Sequence, residues 1–554
     1  MLTETREIIK KILNSLHIAD DLKYSVEHPP QDIDADVSTN IAILLSKILK
    51  KNPLEIAEKI IEDLKKEKII ADAKFQSGFI NIVFSDSYIH QKIISLLISN
   101  TSSQRSSILK NKKILIEFVS ANPTGPLHIG HGRGAVYGDV LSRLFEFLGA
   151  DVKREYYINN VGNQMEILAE SVLSYISQKP VPENGYKGKY IEDIANEIQK
   201  SEIRNQKSEI KEYTITKILD WIKDDLRKFG INFDNWFFES SLYSTPHGKT
   251  STKDGVCEKN EVEEIIKKLT EKKLAFEKDN AVWFKSTNFA DDKDRVLIRE
   301  DGRHTYLASD IAYHFNKYQR NFDEYINIWG ADHHGYVERM KGAVKAIDCD
   351  EKKLKIILYQ LVNIIKDGKK VNMSTRAGEF ISLKEVIDEV GVDATRFFLL
   401  IRNSESHMDF DLDLAKKQTL ENPVFYVQYA YARICSIFKE TKKMAGNLAS
   451  LSEFVTVEKI ESLGNLKLKE EMKLIRKILY FEDIVEIAAK DYAPHYLTKY
   501  LQDIASCFHS YYNKNRVITE NVATTNARLI MCQAVKKVIK NGLDILGVST
   551  PEKM

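Results

Sequence analysis

The chain has 554 residues, 43% of them hydrophobic, so core material is ample and the length points to roughly three or four domains. With 81 basic against 80 acidic side chains the formal net charge is +1, so no global field advertises a nucleic-acid partner, and any such partner must be held by local patches. Cys257, Cys349, Cys435, Cys507 and Cys532 show no paired spacing, which sets aside a disulfide framework and a zinc knuckle, suits a reducing cytoplasm, and accompanies a sequence with no apolar run long enough to span a membrane.

The first stretch, MLTETREIIKKILNSL, is amphipathic. It lacks the apolar core of a signal peptide, and Glu4 and Glu7 sit badly in a mitochondrial presequence, so an ordinary opening helix is expected. Helical spacing covers 37–49 and 53–64, and 79–84 is an apolar, β-branched strand. The tract Asp36-Val37-Ser38-Thr39-Asn40 reads as the capped entry to a helix, and 100–104 as a linker.

Ile114, Leu115, Ile116, Phe118 and Val119 form an apolar run short enough for a buried parallel strand. Asn122, Pro123, Gly125 and Pro126 then turn the chain. Gly130, Gly132 and Gly134 open a segment whose Val136, Val140, Leu141, Leu144, Phe145 and Leu148 recur at helical spacing up to Gly149. Strand, glycine-rich turn and helix in that order bring backbone N–H groups to the carboxyl end of a parallel sheet, where phosphate binds. The spacing departs from the dinucleotide fingerprint, since Tyr137 stands where its third glycine belongs, and no Walker lysine follows. His128-Ile129-Gly130-His131 stands there instead. Two imidazoles three residues apart share a face of the first helical turn and can hold phosphoryl oxygens; as plain structure they would be helix-end histidines in a glycine turn.

At these residues the chain resembles the class I aminoacyl-tRNA synthetases, whose HIGH signature is present letter for letter. Glu117 and Ser120-Ala121-Asn122-Pro123-Thr124-Gly125-Pro126-Leu127 are similar to the arginyl-tRNA synthetase form of it. The resemblance implies an α/β multidomain protein. A split Rossmann-like parallel-sheet catalytic domain would occupy 106–385, with an insertion at about 166–294; an α/β N-terminal domain at 1–105 would contact the tRNA elbow, and an all-α anticodon-binding domain would occupy 386–554. It implies ATP-dependent ligation of L-arginine to tRNA(Arg) through an arginyl adenylate, with ATP and Mg²⁺ as cofactors and no metal-ligating set on the protein, in a cytoplasmic monomer. The nucleotide site it implies holds Pro126, His128, Gly130, His131, Gly134, Met373 and Ser374, with His128, His131, Lys370 and Arg376 as the catalytic groups.

Beyond the helix, 152–158 reads as a second strand, and Asn159-Asn160-Val161-Gly162-Asn163-Gln164 resembles the family's next stretch. Residues 166–294 are rich in Lys, Glu, Asn and Ser, with a helix at 215–229 and a hairpin near 274–284; this is an insertion with little room for a separate editing domain. The nucleotide fold resumes at 299–310, followed by a strand at 325–329 and Gly330-Ala331-Asp332-His333-His334-Gly335-Tyr336. Asp332, His333 and His334 are chemically able to bind a metal, but adjacent histidines on a turn point apart.

A site that selects guanidinium needs carboxylates and carbonyls set edge-on. Glu117 ends an otherwise apolar strand, where an unpaired carboxylate is costly; the structural alternative is an ion pair with Lys112 or Arg154. Tyr306 and Asp310, one helical turn apart, can present a phenol and a carboxylate from one face, unless Asp310 is a helix N-cap. By resemblance Glu117, Asn122 and Asp332 or His333 orient the α-amino end of arginine, Tyr306 and Asp310 hold its side chain, and Ser120 belongs to the same pocket.

Residues 368–378, GKKVNMSTRAG, take the place of the second class I signature, KMSKS. Met373 and Ser374 are kept, but Asn372 and Thr375 replace the lysines that neutralise pyrophosphate, so Lys370 and Arg376 are expected to take over. From 393 the sequence turns helical, and 393–396 and 422–433 resemble the family's anticodon-binding domain. There Tyr511, Tyr512, Asn513 and Arg516 can stack unpaired bases or serve the core. Other readings share parts of this pattern: a synthetase for another amino acid, a small-molecule adenylate-forming ligase, and a non-catalytic tRNA-binding relative suggested by the eroded second signature.

Overall fold

The structure, a computed structural model, describes residues 1–18, 22–30, 32–98, 108–201, 206–243, 260–371, 381–444 and 462–554. The linker expected at 100–104 and the signature residues Met373, Ser374 and Arg376 lie outside them.

The chain opens with helix α1 (Leu2–Ser15), then β1 (Val26–Glu27), β2 (Val37–Thr39), α2 (Ile41–Leu49), α3 (Pro53–Lys66), β3 (Ile70–Gln76), β4 (Phe79–Phe84) and α4 (Asp86–Ile98). The strands form an antiparallel sheet in the order β1-β2-β4-β3. Residues 37–49, expected to be helical throughout, divide into a strand and a helix. The strand Val37-Ser38-Thr39 has only three residues, too few to show a period of two ahead of the helix. Nor is 36–40 mainly a capping tract. Asp36 Oδ2 accepts the Phe84 N–H at 2.8 Å, Ser38 Oγ donates to Asn81 Oδ1 at 2.5 Å, and Asn40 Oδ1 accepts the Ser25 N–H at 2.9 Å, while only Thr39 Oγ1 meets a helix-start N–H, that of Ile41 at 3.3 Å.

The central body follows as β5 (Lys113–Glu117), α5 (Ile129–Phe147), β6 (Asp151–Ile158), α6 (Asn163–Ile176), α7 (Lys189–Gln199), α8 (Lys207–Lys228) and β7 (Asn235–Phe238). Next come α9 (Glu261–Glu271), β8 (Ala275–Lys278), β9 (Ala281–Phe284), β10 (Arg295–Ile298), α10 (Tyr306–Gln319), β11 (Glu324–Gly330), α11 (Val337–Ala346) and β12 (Leu354–Tyr359). Five of these strands form a wholly parallel sheet, ordered β12-β11-β5-β6-β7. Ile114, Leu115 and Ile116 are buried, as a central strand covered on both faces requires. The stretch read as one insertion, 166–294, is therefore interrupted: its α6–α8 part ends at β7, which rejoins the main sheet, and the antiparallel β8–β10 sheet is a separate excursion. β7 contributes only NWFF, too few residues in polar surroundings to show a period.

Strands β13 (Val362–Lys366) and β14 (Lys369–Lys370) pair antiparallel; α12 (Leu383–Val390) and α13 (Val392–Leu400) follow, and β15 (Met408–Asp411) returns to pair parallel with β13. Residues beyond the expected boundary at 386 are thus still tied to the central body. Arg133 of α5 secures this region, donating to the carbonyls of Gln360 (2.8 Å), Asn403 (2.8 Å) and Ser406 (2.9 Å). The remainder is helical: α14 (Leu412–Lys416), α15 (Pro423–Met444), α16 (Lys469–Ile478), α17 (Phe481–Lys490), α18 (His495–Lys514) and α19 (Val522–Leu546). Tyr511 of α18 is fully buried, so it serves the core; Tyr512 stays half-buried against the Arg433 guanidinium.

Candidate active site

In the parallel sheet the chain runs outward in one direction through β6 and β7 and in the other through β11 and β12, leaving a switch point between β5 and β11. Open α/β sheets bind ligands at the carboxyl ends of the strands at such a point. Here a cavity of about 630 Å³ opens there, lined by Glu117, Asn122, His128, His131, Asp310 and Asp332 among others. β5 leaves the sheet sharply: Val119 has φ +67° and Ser120 φ +41°, values a β-branched residue adopts only where its surroundings impose them. That turn returns Ser120 to the strand it left, with Oγ donating to Glu117 Oε1 at 2.9 Å and accepting the Tyr157 N–H at 3.1 Å.

His128 is the N-cap of α5. Its Nδ1 accepts the N–H groups of Gly130 (3.1 Å) and His131 (3.4 Å), while His131 Nδ1 accepts the His128 N–H at 3.3 Å. Both Nδ1 atoms are therefore unprotonated, and each neutral ring carries its proton on Nε2. The rings stack at 3.7 Å. Burial lowers the pKa of His128, and burial together with the neighbouring His128 ring lowers that of His131 well below the usual imidazole range. The pair thus meets a ligand as two parallel neutral donors at a helix N-terminus, the uncharged form of the phosphoryl-holding pair expected from the sequence.

The acidic side is held by α10. Lys317 Nζ pairs with Glu117 Oε2 and donates to Asn327 Oδ1 at 2.8 Å; Asn327 Nδ2 meets His314 Nε2 at 2.8 Å, and His314 Nδ1 meets the Asp310 carbonyl at 2.7 Å. His314, held near a pKa of about 3 by burial and by Lys317, is neutral with its proton on Nδ1. One chain of hydrogen bonds thus runs from Ser120 through Glu117 and Lys317 to Asp310. On the neighbouring strand Glu155 is likewise buried, receiving the Arg320 guanidinium, the Tyr313 hydroxyl (2.7 Å) and the Asn235 amide (2.5 Å). The ion pair expected for Glu117 exists, but its partner is Lys317; Arg154 binds Glu146 instead. Asp310 is not a helix N-cap, because α10 begins at Tyr306, with Thr305 in the N-cap position. Its carboxyl accepts the Tyr336 hydroxyl at 2.5 Å, and burial, reinforced by Glu239 and Glu117 against Lys317, raises its pKa to about 7.

Glu117, Ser120, Asn122, Tyr306, Asp310, Asp332 and His333 all line the cavity with His128, Gly130 and His131. Asn122 is steadied by Gln164, to whose Oε1 it donates at 2.8 Å. Pro126 and Gly134 are outside the lining. A Cβ on Gly134 would stand 2.7 Å from the Tyr359 ring, so that glycine admits Tyr359 against α5 and acts through packing. Lys370 is exposed on β14, also outside the lining. Sequence reasoning missed Lys317, His314 and Asn327, which no motif marks, Asn159 and Gln164, which lie in a stretch that the family resemblance had already marked, and Tyr336, four residues beyond Asp332. His333 lines this cavity and His334 a different one, and among the described residues no three acidic, imidazole or thiol groups converge to hold a metal ion.

Comparison with known proteins gives three family matches along the chain: arginyl tRNA synthetase N terminal domain over residues 3–84, tRNA synthetases class I (R), catalytic domain over 92–421, and DALR anticodon binding domain over 427–554. The chain is 38% identical to the arginine–tRNA ligase of Aquifex aeolicus, with 99% of each chain covered, and 44% identical to that of Lawsonia intracellularis, with 96% of each covered. Its fold is similar to that of Thermus thermophilus arginyl-tRNA synthetase, with a TM-score of 0.78 at 20% identity over the whole of both chains.

Proposed function

The chain belongs to the arginyl-tRNA synthetase family, and from that membership we propose how its cavity divides the substrates. The activity is the ATP-dependent charging of arginine onto tRNA. On our reading the nucleotide lies over the start of α5, where His128 and His131 donate Nε2–H to phosphoryl oxygens. The amino acid lies over β5 and α10: Tyr306 and Asp310 take the guanidinium, while Glu117, Ser120, Asn122 and Asp332 or His333 orient the α-amino end. The observation that carries this division is a single cavity with two neutral imidazole donors on one wall and a half-buried carboxylate of raised pKa on the other.

The arginine carboxylate attacks the α-phosphorus of ATP, forming the adenylate and releasing pyrophosphate; a hydroxyl of the terminal tRNA adenosine then takes the arginyl group and AMP leaves. Neither step needs a protein nucleophile, only positioning and stabilisation of developing charge. Mg²⁺ fits this site only as the nucleotide's own counterion, held by phosphate oxygens, and no protein group is assigned to it. Lys370 and Arg376 supply positive charge to the departing pyrophosphate in place of the two lysines that the second signature lacks. Lysine cannot satisfy acceptors set for a planar fork, so discrimination on the order of 10⁴ follows without an editing domain. The N-terminal domain would contact the tRNA elbow and the helical domain the anticodon.

Exchange of labelled pyrophosphate into ATP, run with each amino acid and with and without tRNA, tests the reading. Exchange supported by arginine and by no other amino acid, followed by charging of tRNA(Arg), is expected, and the family resemblance implies that this exchange waits for bound tRNA; exchange with another amino acid, or none under any condition, overturns the reading. We also propose a cytoplasmic monomer. Among the described residues no helix is long and apolar enough to cross a membrane, and light scattering should give a single species near 63.7 kDa.

A further inference from the structure

His128 caps α5 from an extended backbone, φ −105° and ψ 171°. Ser, Thr, Asp and Asn are the usual caps; the imidazole that replaces them reaches the Gly130 and His131 N–H groups at only 3.1 and 3.4 Å. The turn has a second support in α12. Ser382 faces His128 across an isolated antiparallel bridge, and the Leu383 N–H donates to the Leu127 carbonyl at 2.7 Å, closer than either bond of the cap. Leu383 is fully buried against Gly132 of α5, where an added Cβ would stand 2.7 Å from its Cδ1. A capping box holds Ser382 in turn: its Oγ accepts the Glu385 N–H at 3.2 Å, and Glu385 Oε2 takes the Ser382 N–H and hydroxyl at 2.7 Å each. Glu385 is exposed, and neither it nor Ser382 lines the cavity.

We propose that Ser382 and Glu385 are positioning residues for His128: their capping box holds the bridge that keeps residue 128 extended, and with it the ring on the cavity wall. A residue at the start of a helix can also join it. In helical φ and ψ its side chain no longer reaches back to the N–H groups of the first turn, so both Nδ1 bonds break and Nε2 loses its fixed direction. The bridge opposes that change, since residues paired antiparallel are extended. Glu385 thus acts on the imidazole from outside the cavity, through two backbone segments that lie 254 positions apart in sequence at the paired residues His128 and Ser382. The inference rests on the reading above that His128 donates to a phosphoryl oxygen.

The test is pyrophosphate exchange by the full chain at saturating tRNA, with kcat and KM read separately. Ser382→Ala and Glu385→Ala should each lower kcat about tenfold, the worth of one hydrogen bond to a charged ligand, with KM for arginine unchanged. Ser382→Thr and Glu385→Gln, which preserve a capping box, should restore kcat. Asn260→Ala removes a comparable cap, that of α9, where Oδ1 accepts the Glu263 N–H at 3.2 Å; it should lower thermal stability to a similar extent at unchanged kcat. In a His128→Ala background Glu385→Ala should cost nothing further. Undiminished kcat in Glu385→Ala overturns the proposal, and because that side chain is exposed this variant decides the matter even if Ser382→Ala does not fold. An equal fall in Asn260→Ala, or a further fall in the His128→Ala background, overturns it as well. Undiminished exchange in His128→Ala itself would instead overturn the reading that this imidazole holds phosphate.

Discussion

On the proposed placement of the arginine guanidinium at Asp310, that residue sets the pH behaviour expected of this enzyme. Burial raises its pKa to about 7, so at neutral pH the free site is divided between the protonated and ionised forms. A guanidinium stabilises only the ionised form, so binding lowers the pKa, and by linkage arginine affinity is full above about pH 7 and is lost as pH falls through it. Calorimetric titrations should show arginine binding about tenfold weaker at about pH 6 than at about pH 8, with Asp310→Asn flattening the profile and weakening binding throughout. A flat profile in the unaltered chain would contradict the assignment. Behind it, Lys317 is the cation of Glu117, and the two side chains are 1% and 6% exposed. Lys317→Met leaves that carboxylate buried and unpaired, for an expected loss of about 3–5 kcal/mol in urea unfolding. The sequence made Glu117 conspicuous, as a lone acid on an apolar strand, but could not reveal its partner: the two are 200 residues apart and meet only when α10 packs on the sheet.

Elements were legible in proportion to the length of their period. The strand–turn–helix at β5 and α5 could be read because an apolar run, a glycine turn and six apolar residues at helical spacing agree with one another. β2 and β7, of three and four residues, could not be read, for too few side chains fall on each face to show alternation. The junctions between elements were equally hidden. Arg396 of α13, fully buried, donates to the Leu546 and Phe229 carbonyls at 2.9 Å each and pairs with Asp139 of α5. It locks the end of α19, the end of α8 and the signature helix to one another. Gly547 makes room for it: its φ is +65°, and an added Cβ would lie 2.4 Å from Arg396 Nη2. Gly547→Ala should therefore destabilise by about 2–4 kcal/mol, strain plus displacement of a buried guanidinium. Gly302→Ala has φ +77° but open space around it, so it should cost only the backbone strain of about 1 kcal/mol. Equal losses in thermal unfolding would mean that the Arg396 contact contributes nothing.

Across the whole molecule the helical body at the C-terminus touches both others. Tyr492, at φ +51°, accepts the Tyr137 hydroxyl of α5 on its carbonyl and donates its own hydroxyl to Glu324 of β11. On the other side Arg476 of α16 pairs with Asp36, which is 1% exposed, and His28 stacks on Tyr480 at 3.6 Å. A net charge of +1 gives no global attraction for tRNA, so on the proposed reading, with the N-terminal domain at the tRNA elbow, binding depends on the N-terminal and helical domains presenting their local contacts in one frame. Arg476→Ala removes the cation of a buried carboxylate at that joint, leaving Asp36 with the Phe84 N–H among its bonds. Loosening should appear first as faster amide exchange in β4 and α4, which border the joint, with β5 and α5 unchanged. Because the catalytic cavity is built from other elements, pyrophosphate exchange at saturating tRNA should be preserved while KM for tRNA rises about tenfold, the equivalent of about 1.4 kcal/mol of lost pre-organisation. A fall in kcat at unchanged KM would mean instead that the joint acts on the chemistry, and that the N-terminal domain is more than a passive arm of the tRNA site.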